Sequence, residues 1–343
     1  MTISRRTFLR ALASCCALSF ISGPVRAASS LLFPFGQLPP PERVRRILSA
    51  GAPADLLLLA VAPEKLPGLS SFDLSGDNCA WFSSSLCHLT KLGRLSGRAS
   101  TLSLEKVLAL NPDMIIDCGS ADGTWRSQAS RIAEQTGIPL VLIDGTLADS
   151  AQQLRQVGAL LGEERRAESQ ALLAERFLAD AALFAGSPAA NVRFYAARGA
   201  RGLETGLRHS LHTEAAELLG LENVAQQADR SGLTQVSMEQ LLLWQPDIIL
   251  TQDPVTWRYI CEDPVWQGVD AVAKRQVLLF SGLPFGWLDA PPGINRLLGM
   301  RRLQAHFDAR LRAGFKDDMR EFFTLFYHSE LSDAQYQRLM GDA

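Results

Sequence analysis

The stretch "SLEKVLALNPDMII", residues 103–116, returns as "SMEQLLLWQPDIIL", residues 237–250, at a constant offset of 134 residues. Ser, Glu, a Leu-rich run, Pro-Asp and an aliphatic triplet keep one internal spacing, so one local unit is built twice. Its chemistry reads as helix, stop and strand. Ser103 and Ser237 take N-cap positions, with Gln240 at the capping-box spacing from Ser237. Glu105 and Glu239 fall in the first turn, where the helix dipole favours a carboxylate. The leucines bury one face, Pro112 and Pro246 end the helix, and the aliphatic triplet opens a core strand. With 343 residues and 47% apolar content, the chain exceeds one core of ~150 residues and can pack two, one copy in each.

The rest of the chain alternates in the same way. "VRRILSAG", "DMIIDCG" and "PLVLIDG" read as strands, with "ADLLLLAVA" and "TWRSQASRIAEQTG" as helices among them. After Gly186 the alternation restarts through "NVRFYAARG", "TEAAELLG", "MEQLLLWQ", "PDIILTQD" and "QVLLFSG". Such β-α alternation predicts mainly parallel sheets covered by helices. Between the halves, residues 147–186 contain no proline, and Leu172, Leu173, Phe177 and Leu178 fall at helical spacing. The expected fold is two α/β lobes, residues 28–146 and 187–343, joined by connecting helices over 147–186 and ending in C-terminal helices. The longer connecting helix, from about Glu163, makes a stiff spacer, and the ligand cleft is expected between the lobes.

Residues 1–27 stand apart. "SRRTFLR" leads into an apolar run from Ala11 to Ile21, shorter than the ~20 residues that span a bilayer, and Val25-Arg26-Ala27 suits a small-residue cleavage site. This is an export signal, and Arg5-Arg6 followed by Phe8-Leu9 resembles the twin-arginine signals that send folded proteins across the bacterial inner membrane. A lipid-attachment cut at Cys15 would leave almost no apolar run after Arg10, so no anchor is expected. The signal holds four of the 34 basic residues and none of the 36 acidic ones, so the remainder carries a net charge of −6. That charge gives no footprint for nucleic acid or anionic lipid. Cys79, Cys87, Cys118 and Cys261 remain, in no zinc or redox spacing. Cys79 and Cys87 either close a local disulfide in an oxidising compartment or stay as free thiols.

The two Ser-x-Glu units with Pro-Asp and aliphatics join "RILSAGAPADLLLLA" (46–60), "GLETGLRHSLHTEAAELLGLENVA" (202–225) and "GLPFGWLDAPPGINRLLGM" (282–300) in a recognisable order. Together they resemble the class III, helical-backbone substrate-binding proteins of bacterial ABC importers, which receive iron–siderophores, haem and cobalamin. The resemblance covers nearly all of the chain after the signal. It implies a monomeric periplasmic receptor that hands its cargo to a permease dimer with its ATPase. By position, Glu105 and Glu239 inherit the family's role of docking onto permease arginines, beside the capping role that already explains them.

Ligand chemistry belongs between the lobes, at the carboxyl ends of the strands. The loops expected to face that cleft carry Trp81, Arg98, Trp125, Arg198, Arg208, Arg230, Trp257 and Trp287. Arg98 and Arg230 precede their repeats' glutamates by seven and nine residues, and the resemblance implies a ligand contact from that loop. Each is equally explained as a solvated surface arginine. Aromatic walls and guanidinium forks suit a large, anionic, partly apolar chelate, with ferric siderophore the leading ligand. Haem, cobalamin, molybdate-type oxyanions and nickel chelates are bound by similar chains. His209 and His212, three apart, are too few for a dedicated metal site, and no resident cofactor is expected. Hydrolase elbow, Walker loop, His-Glu-x-x-His and dinucleotide motifs are all absent, so the chain is expected not to be an enzyme. The competing class, a chelatase-like enzyme on a related two-lobed fold, needs an acid–base pair that the sequence does not display.

Overall fold

The computed structural model describes residues 29–96, 100–227, 230–280 and 282–340. The segment expected to be an export signal and Arg98 lie outside the described residues. In the first lobe β1 (Leu32–Phe35), β2 (Ile47–Ser49), β3 (Met114–Cys118) and β4 (Leu140–Ile143) form a sheet in the order β1-β4-β3-β2. β2, β3 and β4 run parallel, whereas β1 pairs antiparallel with β4. The helices are α1 (Ala52–Val61), α2 (Leu104–Leu110) and α3 (Gly123–Thr136). β1 escaped the sequence reading because Leu32–Phe35 includes Pro34, and a proline fits only an edge strand.

Two helices follow, α4 (Ser150–Leu161) and the 22-residue α5 (Glu164–Ala185), which at 1.5 Å per residue spans ~33 Å. Their junction explains both glycines of the segment. Gly162 caps α4 at φ +71°, and a Cβ on Gly158 would lie 2.3 Å from the Ala167 side chain, so only glycine lets the helices meet. The buried stripe of α5 runs through Ala167, Gln170, Ala171, Leu173, Ala174, Phe177, Ala181 and Phe184, while Leu172 points to solvent.

The second lobe adds β5 (Arg193–Ala196), β6 (Glu204–Gly206), α6 (Glu214–Glu217), β7 (Glu222–Asn223), β8 (Leu233–Gln235), α7 (Met238–Trp244) and β9 (Ile248–Thr251). It continues with α8 (Pro254–Glu262), α9 (Asp270–Ala273) and β10 (Val277–Leu279). Its main sheet, β10-β9-β5-β7, is parallel throughout, with β6 and β8 a separate antiparallel pair.

The doubled stretch occupies equivalent places. α2 and α7 begin at Ser103 and Ser237, whose hydroxyls accept from the Lys106 and Gln240 backbone N–H. Each ends on a left-handed residue, Asn111 or Gln245. The Pro-Asp step then pins the new strand to its neighbour. Asp113 Oδ2 accepts from the backbone N–H groups of Arg45 and Arg46 at 2.8 and 2.9 Å, and Asp247 Oδ2 accepts from that of Arg193 at 2.8 Å. Arg46 and Arg193 reach back to the helix-end carbonyls of Leu110 and Gln245.

Of the C-terminal helices α10 (Arg296–Phe307), α11 (Ala309–Phe326) and α12 (Asp333–Met340), α10 stays with the second lobe, where Arg296 pairs with Glu214 of α6, whereas the chain from the end of α11 onward leaves it. Gln170 of α5 donates to the carbonyls of Ala60 and Leu325, His328 Nε2 meets the Leu59 carbonyl at 2.9 Å, and Gln335 reaches Ala80. The chain therefore returns to the first lobe, where Trp81 packs on Phe323 at 6.4 Å between ring centroids.

Candidate functional site

A cleft of about 980 Å³ opens between the lobes, at the carboxyl ends of their strands. From the first lobe, the end of β3 and the residues that follow β2, β3 and β4 supply the wall: Gly51 to Pro53, Asp117 to Ser120, and Asp144 to Thr146. Arg94, Ser96, Trp125, Ser150 and Gln153 complete that side. The second lobe contributes His209 to His212, Glu214, Ser231 and Gly232, and the turn at Pro291 to Ile294 closes over with Arg296.

The floor is acidic. Asp117 is 5% exposed, and burial pushes its pKa up to about 6, against hydrogen bonds from Ser96 Oγ and the Cys118 N–H. Asp55 lies behind it and adds to the rise. Asp55 accepts from Ser70 N, Ser70 Oγ and Ser71 N, at 2.7, 2.8 and 2.9 Å, and burial raises its own pKa as well. Gly51 sits where a Cβ would lie 2.9 Å from Ser96 Oγ, so the backbone of this turn approaches the floor closely. Burial, then the neighbouring Asp117, push the Cys118 thiol pKa well above its usual value, which disfavours the thiolate.

Cations in the cleft are few and unequal. Arg296 is buried and neutralised by Glu214 at 2.5 Å, and it also donates to the Leu211 carbonyl. The half-buried Arg94 guanidinium meets no hydrogen-bond acceptor among the described residues. Behind the second wall, Asp289, 4% exposed, gathers the Arg198 guanidinium, the Gln252 amide and His212 Nδ1, the last at 2.7 Å. Arg198 and Gln252 each follow the end of a strand, β5 and β9.

Of the residues expected here, Trp125 lines the cleft. Trp81 and Trp287 are corrections: both are buried in the core, and the Trp287 indole N–H bonds the Leu283 carbonyl. Gly299 packs on the backbone of the same residue, so closely that a Cβ there would lie 1.9 Å from the Trp287 carbonyl oxygen. Trp257 is half-buried against the second lobe's core and donates to the Val277 carbonyl at 3.0 Å, outside the lining. Arg198 is turned away to Asp289, and Arg208 and Arg230 are exposed outside the lining, although Ser231 and Gly232 beside Arg230 are part of it. Cys79 and Cys87 are joined as a disulfide in the loop that carries Trp81, away from the cleft. Sequence reasoning missed Arg94, one residue before a loop that was expected to face the ligand, and it missed Asp117. A strand that ends Ile-Ile-Asp-Cys-Gly is the signal for the latter, since a carboxylate at the carboxyl end of a parallel strand enters the crevice.

The sequence profile described as periplasmic binding protein matches residues 95–281. An ABC transporter solute binding protein from Sulfurospirillum deleyianum superposes with a TM-score of 0.78 at 26% identity, covering 88% of this chain and 95% of that one. The Helicobacter pylori protein Ceue with Ni(II) bound shares the fold, with a TM-score of 0.69 at 14% identity over 88% of this chain and 95% of its own. A vitamin B12-binding protein from Pectobacterium carotovorum is 30% identical over 155 residues, 43% of this chain and 53% of the relative's length. The match thus spans about half of that curated relative.

Proposed function

Because the chain belongs to the periplasmic binding protein family, whose members bind solutes for ABC importers and are not enzymes, we propose that its cleft captures a metal chelate for an importer's permease and ATPase. The observation that carries this reading is the cleft itself, about 980 Å³, faced by both lobes and equipped with one flat aromatic wall, Trp125, and one uncommitted guanidinium, Arg94. A ferric siderophore is the leading ligand, in a form of modest negative charge. Asp117 and Asp144 oppose a polyanion, and three of the arginines once expected to meet it stand outside the lining. A second reading, a corrinoid, is favoured by the 30% identity with the vitamin B12-binding protein.

Titration of the intrinsic tryptophan fluorescence, with Trp125→Phe as the control for the cleft's own signal, against ferric catecholate and hydroxamate complexes, cyanocobalamin, haemin, Ni(II)–histidine and molybdate separates these. Saturable quenching by a ferric complex but not by its metal-free ligand supports the leading reading. A response to cyanocobalamin alone moves the assignment to a corrinoid, and a response to molybdate alone, or to nothing, overturns the chelate. Arg94→Ala is expected to weaken the productive ligand by roughly 1–3 kcal/mol, the value of a charge-assisted contact, while Arg208→Ala leaves it unchanged.

A further inference from the structure

We propose that Asp117 is the specificity-determining residue of the cleft floor: its Oδ2 accepts a hydrogen bond from an N–H donor at the periphery of the ligand, so that the cleft selects complexes whose buried end is an amide or ammonium over those whose buried end is a carboxylate. The inference rests on the chelate reading above and deepens it by naming which part of a chelate the first lobe reads, and by what chemistry.

The strand places the side chain. β3 is an interior strand of the first sheet, and Asp117 stands near its carboxyl end, paired in register with Leu142 of β4. It lines the cleft although it is only 5% exposed. Its two oxygens have unequal surroundings. Oδ1 accepts from the Ser96 hydroxyl and from the Cys118 N–H, both at 3.0 Å. A Cβ on Gly51 would lie 3.4 Å from the same oxygen, so backbone closes that side. Oδ2 meets no donor among the described residues, and no described cation pairs with the carboxylate. An ionised carboxylate has room for several donors, and one buried this far with an oxygen left open is short of them. The cleft is the side from which the missing donor can come.

The surrounding charge gives the choice its sign. Asp55, fully buried behind Asp117, is held by Ser70 and Ser71 and brings no counter-cation with it. Across the cleft the Arg296 guanidinium is committed to Glu214. A ligand carboxylate at the floor would therefore be one more anion beside two that nothing neutralises, whereas an amide or ammonium supplies the absent hydrogen bond to an ionised acceptor. A buried acceptor left unpaired by the wrong ligand discriminates more sharply than an apolar wall can. Arg94, uncommitted in the same lining, suits an acceptor elsewhere on the complex. The cleft thus fits an unsymmetrical chelate, acceptor-rich at one place and donor-bearing at another.

Donors of this kind come from two sources, the terminal group of a ferric siderophore and the side-chain amides of a corrinoid, and the test has an arm for each. In the first, ferric complexes of one linear trihydroxamate are prepared with three ends of equal length: a primary amide, an N,N-dimethylamide without N–H, and a carboxylate. In the second, cyanocobalamin is compared with its monocarboxylic acids, in which one amide becomes a carboxylate. Burial pushes the Asp117 pKa up to about 6, so affinities are measured at pH 7.5, where the carboxylate is ionised. In whichever arm binds the mature protein, the amide form is expected to bind at least about tenfold tighter than the carboxylate form, or than at least one of the monocarboxylic acids. The dimethylamide should fall between, and in Asp117→Asn the amide-to-carboxylate ratio should drop to within about threefold. The wild-type ratios need no variant to fold. Equal affinities within the pairs, tighter binding of the carboxylate forms, a dimethylamide as good as the primary amide, or a ratio unchanged in Asp117→Asn overturns the inference while leaving the chelate reading intact. If neither arm nor any other metal complex of the fluorescence panel binds wild type, both fall together.

Discussion

At the scale of single residues, Asp117 makes the cleft sensitive to pH. Its folded-state pKa, about 6, lies above the 3.8 of a free side chain, so between those values the folded protein holds more protons than the unfolded one. The contribution of Asp117 to stability is therefore greatest in acid, falls as pH rises from about 4 to about 6, and stays at the lower level above that. Asp117→Asn keeps an oxygen for the Ser96 hydroxyl and removes the buried charge. It should raise stability at pH 7 by up to about 3 kcal/mol, with the gain vanishing near pH 4, as urea denaturation across that range would read. A gain that persisted at pH 4 would point to packing instead of charge. The tryptophans make the complementary point. Trp81 and Trp287 are buried in the core, whereas Trp125 and Trp257 are both half-buried, and only Trp125 stands where the cleft opens.

At the scale of elements, the helix–Pro-Asp–strand unit explains its own repetition. Cap, stop and strand pinning by Asp113 and Asp247 all act within the unit and its neighbouring strand, so the same residues solve the same problem in each lobe. The glutamates are more than this requires. Glu105 and Glu239 are exposed, and Leu108 and Leu243 stand beside them at 51% and 80% exposure, so each helix offers a carboxylate with an uncovered apolar neighbour. The Glu239 backbone N–H and the Ser237 hydroxyl hold its carboxyl below the usual range, charged wherever the transporter works. If these faces dock onto permease arginines, Glu105→Arg with Glu239→Arg abolishes uptake while melting temperature and chelate affinity stay near wild type. A double variant that transports normally would leave the glutamates as capping charges only.

At the scale of the whole molecule, one buried cluster runs from Val44 and Leu56 of the first lobe through Phe177 of α5 to Phe194 and Ile248 of the second, with Phe322 and Phe323 of α11 packed in. The connection is reinforced by Arg301. Its guanidinium, buried on α10, meets Asp180 of α5 at 2.8 Å and Asp318 of α11 at 2.7 Å, and stacks on Phe177. Removing it leaves Asp180 without its ion-pair partner and Asp318 with only Arg176, at 3.4 Å, so Arg301→Ala should cost roughly 3 kcal/mol. Because the core is shared by both lobes, that loss should appear as one cooperative transition at lower temperature in calorimetry. Two separated transitions would mean that the lobes unfold independently.

Helix starts and stops, the strand triplets, the α/β alternation, the doubled unit and the long connecting helix were determined by the sequence alone, because each depends on chemistry within a few neighbouring residues. Capping serines act three residues ahead, prolines act at their own position, and a buried stripe repeats every three or four residues. The destination of a side chain depends instead on what arrives from elsewhere in the chain. His212 is aimed by a carboxylate 77 residues away, Gln170 is held by a carbonyl 155 residues away, and the end of α11 meets the first lobe where Phe323 packs on Trp81. Which arginine stays uncommitted and which tryptophan reaches the cleft were decided by these long-range encounters, since burying a polar group is tolerable only where a distant partner completes its hydrogen bonds.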